Sequence, residues 1–194
     1  MRLKTLPIYS ESPDFLNDHA KVHIRSHQLL KEYCVSIPLH LWLKDSSGSD
    51  IRGSSQVVGR EGSIEVLSFK HGMISPADGV SGKLLGRRVH WPVMMEKEID
   101  RSSPVLYMAI ARAQTLQSAE IKWYRIDDSG RETEYFNMMM RNVKVVAITP
   151  RVANIKEPST ASQNHIEQIQ LRYEEITWCY LDGNLQFRDS WHSL

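Results

Sequence analysis

The chain has 194 residues, 24 basic and 23 acidic, with a formal net charge of +1. That length suits one domain with a real hydrophobic core, and near-neutrality does not advertise nucleic acid or an anionic membrane surface as a partner, since both demand clustered positive charge. Two cysteines, Cys34 and Cys179, are too few for a disulfide framework and have no CxxC spacing, so free thiols are expected.

The first residues, MRLKTLPIYSESPDF, are basic but have no apolar run behind them, so no signal peptide is expected. Nor does any run of about 18 apolar residues occur that could form a membrane-spanning helix. Residues 1–34 mix charges, His19, His23 and His27 with short apolar pairs, and carry only a weak helical pattern from Phe15 to Leu30. From Ile37 the period becomes two, the mark of a half-buried strand. In PLHLWLK, Leu39, Leu41 and Leu43 alternate with His40, Trp42 and Lys44, and DSSGSD then makes a turn. SIEVLSFKH reads as a strand. GMISPADGVSGKLLGRR, residues 72–88, reads as a loop or a flexible hairpin. RVHWPVMMEKEI sets Val89, Trp91, Val93 and Met95 against His90, Met94 and Glu96.

One helix is expected. Ser102 is placed to cap it, Pro104 occupies its first turn where a missing N–H does no harm, and the pattern carries it to about Ala113. Strands then resume: SAEIKWYRI, a hairpin turn at Asp127–Gly130, RETEYFNMMM, NVKVVAITP, the long alternation HIEQIQLRYEEITWCYL, a turn at Asp182–Asn184, and LQFRDSW. About eight or nine strands and one helix imply a mainly β fold: a β-barrel of two packed antiparallel sheets with one flanking α-helix.

Catalytic signatures are sparse. His40, His71, His90, His165 and His192 are scattered without metal-ligand spacing, and no nucleophile elbow, P-loop or dinucleotide fingerprint occurs. Gly79, Gly82 and Gly86 precede a strand rather than the helix a phosphate needs. Glu132 and Glu134 share a strand face but flank a turn, which favours a solvated face over an acid–base pair. Met138–Met140 must place at least one side chain inward, giving core plus interface. No enzyme activity and no cofactor are expected. More informative is the outward content of the strands: Tyr124, Tyr135, Arg172, Trp178 and Tyr180 set large amphipathic side chains among charges, as at the centres of protein–protein interfaces.

Specific strings carry more than periodicity does. SIPLHLWLKD (36–45), REGSIEV (60–66), SGKLLGRRVHWP (81–92), KEIDRSSPVLY (97–107), TLQSAEIKWYRI (115–126), ETEYFN (132–137), NVKVV (142–146), NHIEQIQLRYEEITWCYLDGN (164–184) and RDSW (188–191) form a collinear set spanning residues 35–191. Together they resemble the Hcp (haemolysin-coregulated) proteins of type VI secretion systems. The resemblance implies a barrel with a flanking helix, like a phage tail-tube protein. It implies hexameric rings that stack into a tube inside a contractile sheath, with spike and baseplate proteins as further partners and effector proteins in the lumen. It implies assembly in the bacterial cytoplasm followed by secretion without a cleaved signal peptide. The loop that joins adjacent rings in the family matches residues 71–90, with His71, Ser75, Asp78, Lys83, Arg87 and Arg88 as candidate contacts.

Family proteins begin near Val35, so residues 1–34 are expected to be either a mis-assigned upstream extension or a genuine appendage, with the Hcp-like domain at 35–194. Two other readings stay open: a small-ligand or carbohydrate-binding barrel using Trp91, Trp123 and Trp178, and a hydrolase using Glu132, Glu134 or His165.

Overall fold

The computed structural model describes residues 37–157 and 164–191; the expectations for residues 1–34, Cys34 and His192 lie outside them. The elements in chain order are β1 (Leu39–Lys44), β2 (Asp50–Ile51), β3 (Ile64–Val66), β4 (Ser68–Lys70), β5 (Met73–Ile74), β6 (Val89–His90), β7 (Val93–Glu98), α1 (Ser103–Ala111), β8 (Thr115–Ile126), β9 (Glu132–Arg151), β10 (Ile166–Arg172), β11 (Glu175–Tyr180) and β12 (Leu185–Ser190).

Ten strands form one antiparallel sheet in the order β2-β1-β8-β9-β10-β7-β4, with β3 on β1, β11 on β9 and β12 on β11. β3 pairs with β1 and β4 with β7, while Leu67 between them donates its N–H to Glu96 O at 2.8 Å. The single segment Ile64–Lys70 therefore links β1 to β7, and the pairings β1-β8-β9-β10-β7 run round a ring through it. Ring closure is what removes unpaired edges from a sheet. β5 and β6 make a separate two-stranded sheet.

Two long elements differ from their sequence expectation. RETEYFNMMM and NVKVVAITP are one strand of 20 residues, β9, rather than two. β9 keeps β8 along one side but changes neighbour on the other, from β11 over Phe136–Arg141 to β10 over Lys144–Arg151. Asn142 sits at the changeover with φ 51°, a left-handed conformation that Asn tolerates better than most residues. Conversely, HIEQIQLRYEEITWCYL is two strands, broken at Tyr173–Glu174 opposite that same Asn142, whose Nδ2 donates to Glu174 Oε2 at 2.7 Å.

The core is Leu41, Leu43, Ile64, Val66, Val93, Met95, Leu116, Ile121, Met138, Met140, Val143, Ile169, Leu171 and Ile176, with Leu106 and Ala109 of α1 packed over it. Met138 and Met140 face inward as expected, and Met139 is half-buried. The helix starts where Pro104 placed it and ends at Ala111, two residues short of the expected Ala113, which turns out of it at φ 49°. Ser102 occupies the N-cap but makes no capping hydrogen bond with its side chain. Its hydroxyl donates instead to Asp100 Oδ1 at 2.5 Å, because a carboxylate two residues away is the stronger acceptor.

The expected alternation across residues 89–95 slips by one at Trp91–Pro92. Val93 and Met95 are buried as read, but so is His90, while Val89 and Trp91 are exposed. The chain also makes one very close approach after β2. A Cβ on Gly53 would lie 2.3 Å from Ser63 O and 2.7 Å from Ile64 Cα, both backbone atoms that cannot step aside. Gly53→Ala is expected to destabilise the fold by roughly 1–3 kcal/mol, the range for overpacking, read as a lower urea midpoint.

Candidate functional site

Residues 71–91 form the hairpin between β4 and β7. Its two short strands pair Met73 with His90 and Ile74 with Val89, and a further bridge links Ala77 to Leu84. The turn is built by Asp78, whose Oδ1 accepts hydrogen bonds from Ser81 N at 2.7 Å and Ser81 Oγ at 2.7 Å, while Gly82 takes φ 68°. These bonds hold the Asp78 carboxyl below the usual carboxylate range. The segment read as a loop or flexible hairpin is thus a hairpin, exposed over most of its length and carrying large apolar side chains there. Val80 is 99% exposed and Leu84 and Leu85 about two-thirds, with Met73, Ile74 and Val89 also open to solvent. Several large apolar side chains left open to solvent on one hairpin mark a candidate interaction surface.

Of the candidate loop residues, Ser75, Lys83 and Arg87 are exposed on the hairpin. Asp78 shapes its turn. His71 and Arg88 lie at its base and turn toward the sheet: His71 Nε2 is 2.7 Å from the Tyr173 hydroxyl, and Arg88 forks onto both carboxylate oxygens of Asp189.

The candidate interface residues divide between two places. On β11 and β12, Trp178 stacks on Phe187 at 5.9 Å between ring centroids, and Tyr180 meets Tyr135 edge-on at 6.5 Å. Leu185 and Phe187 on β12 are more than 60% exposed beside them, and Arg172 lies 5.6 Å over the Trp191 ring. Tyr124 belongs to a different cluster near the β8–β9 hairpin, where the Arg60 guanidinium covers its ring at 3.5 Å.

That second cluster has a buried centre which periodicity does not reveal. His40 on β1 is 1% exposed. Its Nδ1 is 2.7 Å from Ser63 Oγ, and Ser63 Oγ donates to Arg60 O at 2.7 Å. The serine has one hydrogen and spends it on that carbonyl, so His40 Nδ1 donates. His40 Nε2 faces Arg60 Nη1 at 3.4 Å, and a guanidinium can only donate, so Nε2 accepts. Both partners select the same neutral tautomer. Burial first, and then the Arg60 charge, push the His40 pKa down to about 4. Arg60 itself pairs with Glu132 at 2.6 Å, so Glu132 is an ion-pair partner rather than a plain solvated group.

Glu134 lies 3.3 Å from Lys122 and accepts a hydrogen bond from Asn137. His165 precedes β10, beside the far end of β9 from Glu132. The three groups of the hydrolase reading are therefore not gathered into one cleft. For the ligand-binding reading, Trp123 is wedged edge-on against Phe69 and Phe136, Trp178 lies on Phe187, and Trp91 covers Gly72. Both Trp123 and Trp178 pack on the apolar core. A surface concavity of about 470 Å³ is lined by Gln117, Ser118, Met139, Arg141, Asn142 and Glu175, and by none of those tryptophans.

This ring of antiparallel pairings with a helix on β9 and an apolar hairpin before β7 has known relatives. The family described as "Type VI secretion system effector, Hcp" matches residues 41–180. The chain belongs to the Hcp family. The matched span runs from within β1 to the end of β11, leaving β12 beyond it. A protein named "Major exported protein" from Pseudomonas aeruginosa is 32% identical over 144 residues, 74% of this chain and 84% of its own. The solved structure of Hcp1 from the E. coli EAEC 042 pathovar, in a double-mutant form, superposes with a TM-score of 0.73 at 52% identity, covering 80% of this chain and 99% of that one. The secreted protein Hcp3 of Pseudomonas aeruginosa shares the fold at a TM-score of 0.66 and 24% identity, covering 80% of this chain and 99% of its own.

Several buried polar residues were not singled out as site residues from sequence. His40, Arg60, Ser63, Lys97, Ser103, Glu167 and Asp189 are all under a tenth exposed. A signal existed for two of them: Lys97 is in phase with Val93 and Met95, and Glu167 with Ile169 and Leu171. A charge in register with a buried apolar row requires an opposite charge facing it.

Proposed function

We propose that this chain is the structural subunit of a type VI secretion inner tube. Six copies close into a ring, rings stack, and contraction of a surrounding sheath expels the stack together with its spike. Small effector proteins ride in the lumen. The observation that carries this reading is the 52% identity to E. coli Hcp1 over 99% of that protein's length, with the same fold. Assembly takes place in the cytoplasm, and export follows without a cleaved signal peptide. The chain acts by fitting copies of itself rather than by catalysis, and residues 35–194 are sufficient for it.

Two surfaces support the reading physically. A ring requires a flank on each subunit that mates with a different flank of the next, a heterologous contact that closes only at the right rotation. The exposed Leu185 and Phe187 of β12, beside Trp178 and Tyr180, supply an apolar and aromatic flank. Stacking requires a second contact along the ring axis, and the apolar hairpin tip at Val80, Leu84 and Leu85 is suited to it.

Negative-stain microscopy with light scattering tests both. The full chain and a residue 35–194 chain are each expected to give six-membered rings that stack as concentration rises. A Val80→Asp, Leu84→Asp variant is expected to keep single rings and lose the stacks. Protein that stays monomeric at every concentration, in both lengths, would overturn the proposal.

A further inference from the structure

A chain of titratable groups joins the base of the hairpin to β10 and β12. His71 Nε2 lies 2.7 Å from the Tyr173 hydroxyl, His90 Nδ1 lies 2.8 Å from the same oxygen, and His90 Nε2 lies 3.1 Å from Asp189 Oδ2. Arg88, on the hairpin, holds both Asp189 oxygens and reaches Ser190 O at 3.2 Å. Arg172 of β10 lies over Trp191, whose ring is 5.5 Å from that of His90, and Trp178 flanks both imidazoles. Tyr173, His90 and Asp189 are each at most 5% exposed, so their hydrogen bonds must be satisfied within the protein.

The donors and acceptors can be counted. Asp189 only accepts, so His90 Nε2 carries a hydrogen. With both imidazoles neutral, His90 Nδ1 is an acceptor. The chain then runs from His71 Nε2–H to Tyr173, from the Tyr173 hydroxyl to His90, and from His90 to Asp189, with every group satisfied. With His90 charged, both its nitrogens donate, and the chain reverses beyond it: His90 donates to Tyr173, and Tyr173 donates to the other tautomer of His71. With both charged, His71 and His90 both donate to the one Tyr173 oxygen, and the hydroxyl hydrogen loses both of its acceptors. The ring centroids, 6.4 Å apart, then also repel.

We propose that these groups form an acid-labile latch, which holds the base of the hairpin with no proton or one proton added to the two imidazoles and releases it when both are charged. Burial first, and then the charge of His90, hold the pKa of His71 below the ordinary imidazole value. A histidine whose folded pKa is lowered contributes stability that is complete above its unfolded value near 6.5 and is lost as the pH falls below it. On the reading that the hairpin joins adjacent rings, on which this consequence rests, mild acid separates rings without dissolving them.

Hydrogen exchange of the full chain, corrected for intrinsic rates, reads the latch in peptides covering residues 72–91, with peptides from β8 and β9 as the reference. His40, at about 4, remains neutral in the folded chain at pH 5 while the unfolded chain takes up its proton, so the reference strands report the loss of global stability there. Between about pH 7.5 and pH 5 hairpin protection is expected to show a fall about tenfold in excess of that of the reference. His71→Gln, whose amide still donates to Tyr173 but takes up no proton, is expected to hold that fall under about threefold. A wild-type hairpin that falls no further than the reference, or a wild-type excess fall in His71→Gln, overturns the latch. Should His71→Gln not fold, Tyr173→Phe replaces it. With the hydroxyl gone, the hairpin is expected to be as unprotected at neutral pH as the wild type is in acid, and full protection there equally overturns it. Light scattering at each pH reports assembly separately: absence of rings bears on the tube reading alone, because hairpin exchange is read within one subunit.

Discussion

Replacing Lys97 by methionine is expected to destabilise the folded chain by about 3–5 kcal/mol, the range for removing one partner of a buried ion pair. Lys97 on β7 and Glu167 on β10 are each 1% exposed and face one another at 2.9 Å. The ammonium also donates to Glu98 O and Asp100 Oδ1, both at 2.8 Å, and lies 3.2 Å from Ser103 Oγ. Ser103 in turn donates to Glu167 Oε1 at 2.7 Å. One charge thus ties together two strands, the turn before α1 and the first residue of the helix.

Without the lysine, the Glu167 carboxylate keeps only a serine for company in an apolar interior, and that uncompensated charge is the source of the loss. Adding Glu167→Leu to Lys97→Met removes the fully buried stranded charge, Asp100 keeps its bonds from the Ser102 N–H and hydroxyl, and the double variant is expected to recover most of the stability. Lys44→Met is the control: Lys44 and Asp50 are 48% and 65% exposed at 2.7 Å, and such pairs contribute at most about 1 kcal/mol. Urea midpoints measured at one fixed protein concentration compare the four proteins, since assembly adds a concentration-dependent contribution. A Lys97→Met protein within about 1 kcal/mol of wild type would show that the buried pair is not structural.

The second large effect is with pH. His40 is expected to make the fold about 3 kcal/mol less stable at pH 4 than at pH 7, because its folded pKa is lowered to about 4 from an unfolded value near 6.5. The unfolded chain therefore takes up the proton first as acid is added. The contribution is complete above about pH 6.5 and drains away as the pH falls toward 4. The carboxylates of Asp50 and Asp100 do not account for a loss in this window. Asp50 and Asp100 are shifted below their ordinary value, so their contributions are lost only at lower pH still. A non-titrating His40→Gln variant is expected to be less stable than wild type at pH 7 but to have a flatter profile from 7 to 4. A wild-type slope in that variant would assign the acid sensitivity elsewhere.

Period-two alternation was enough to find β1, β8 and β10, because a strand's side chains must alternate whatever it pairs with; it did not show that Trp178, read as outward, shares the face of buried Ile176 and packs on the core. It could not tell that β9 is continuous. NMMMR and NVKVV read as separate strands because Asn142 interrupts the apolar register, and whether such a residue ends a strand or merely kinks it depends on what lies opposite. Here Glu174, also a break in the pattern, lies there and accepts a bond from it. Similarly, His90 sat on the wrong face until the phase slip at Trp91–Pro92 was visible, and the hairpin's apolar tip looked like an ordinary loop.

From sequence alone came the mainly β class, the helix after Ser102, the inward methionines and the family resemblance. All of these depend on local periodicity or on strings of neighbouring residues. The pairing of Lys97 with Glu167, the neutral tautomer of His40 and the shared hydroxyl of Tyr173 depend on groups far apart in the chain. Each polar side chain inside the barrel is tolerable only because a particular partner meets it there, and closure of the sheet chooses that partner.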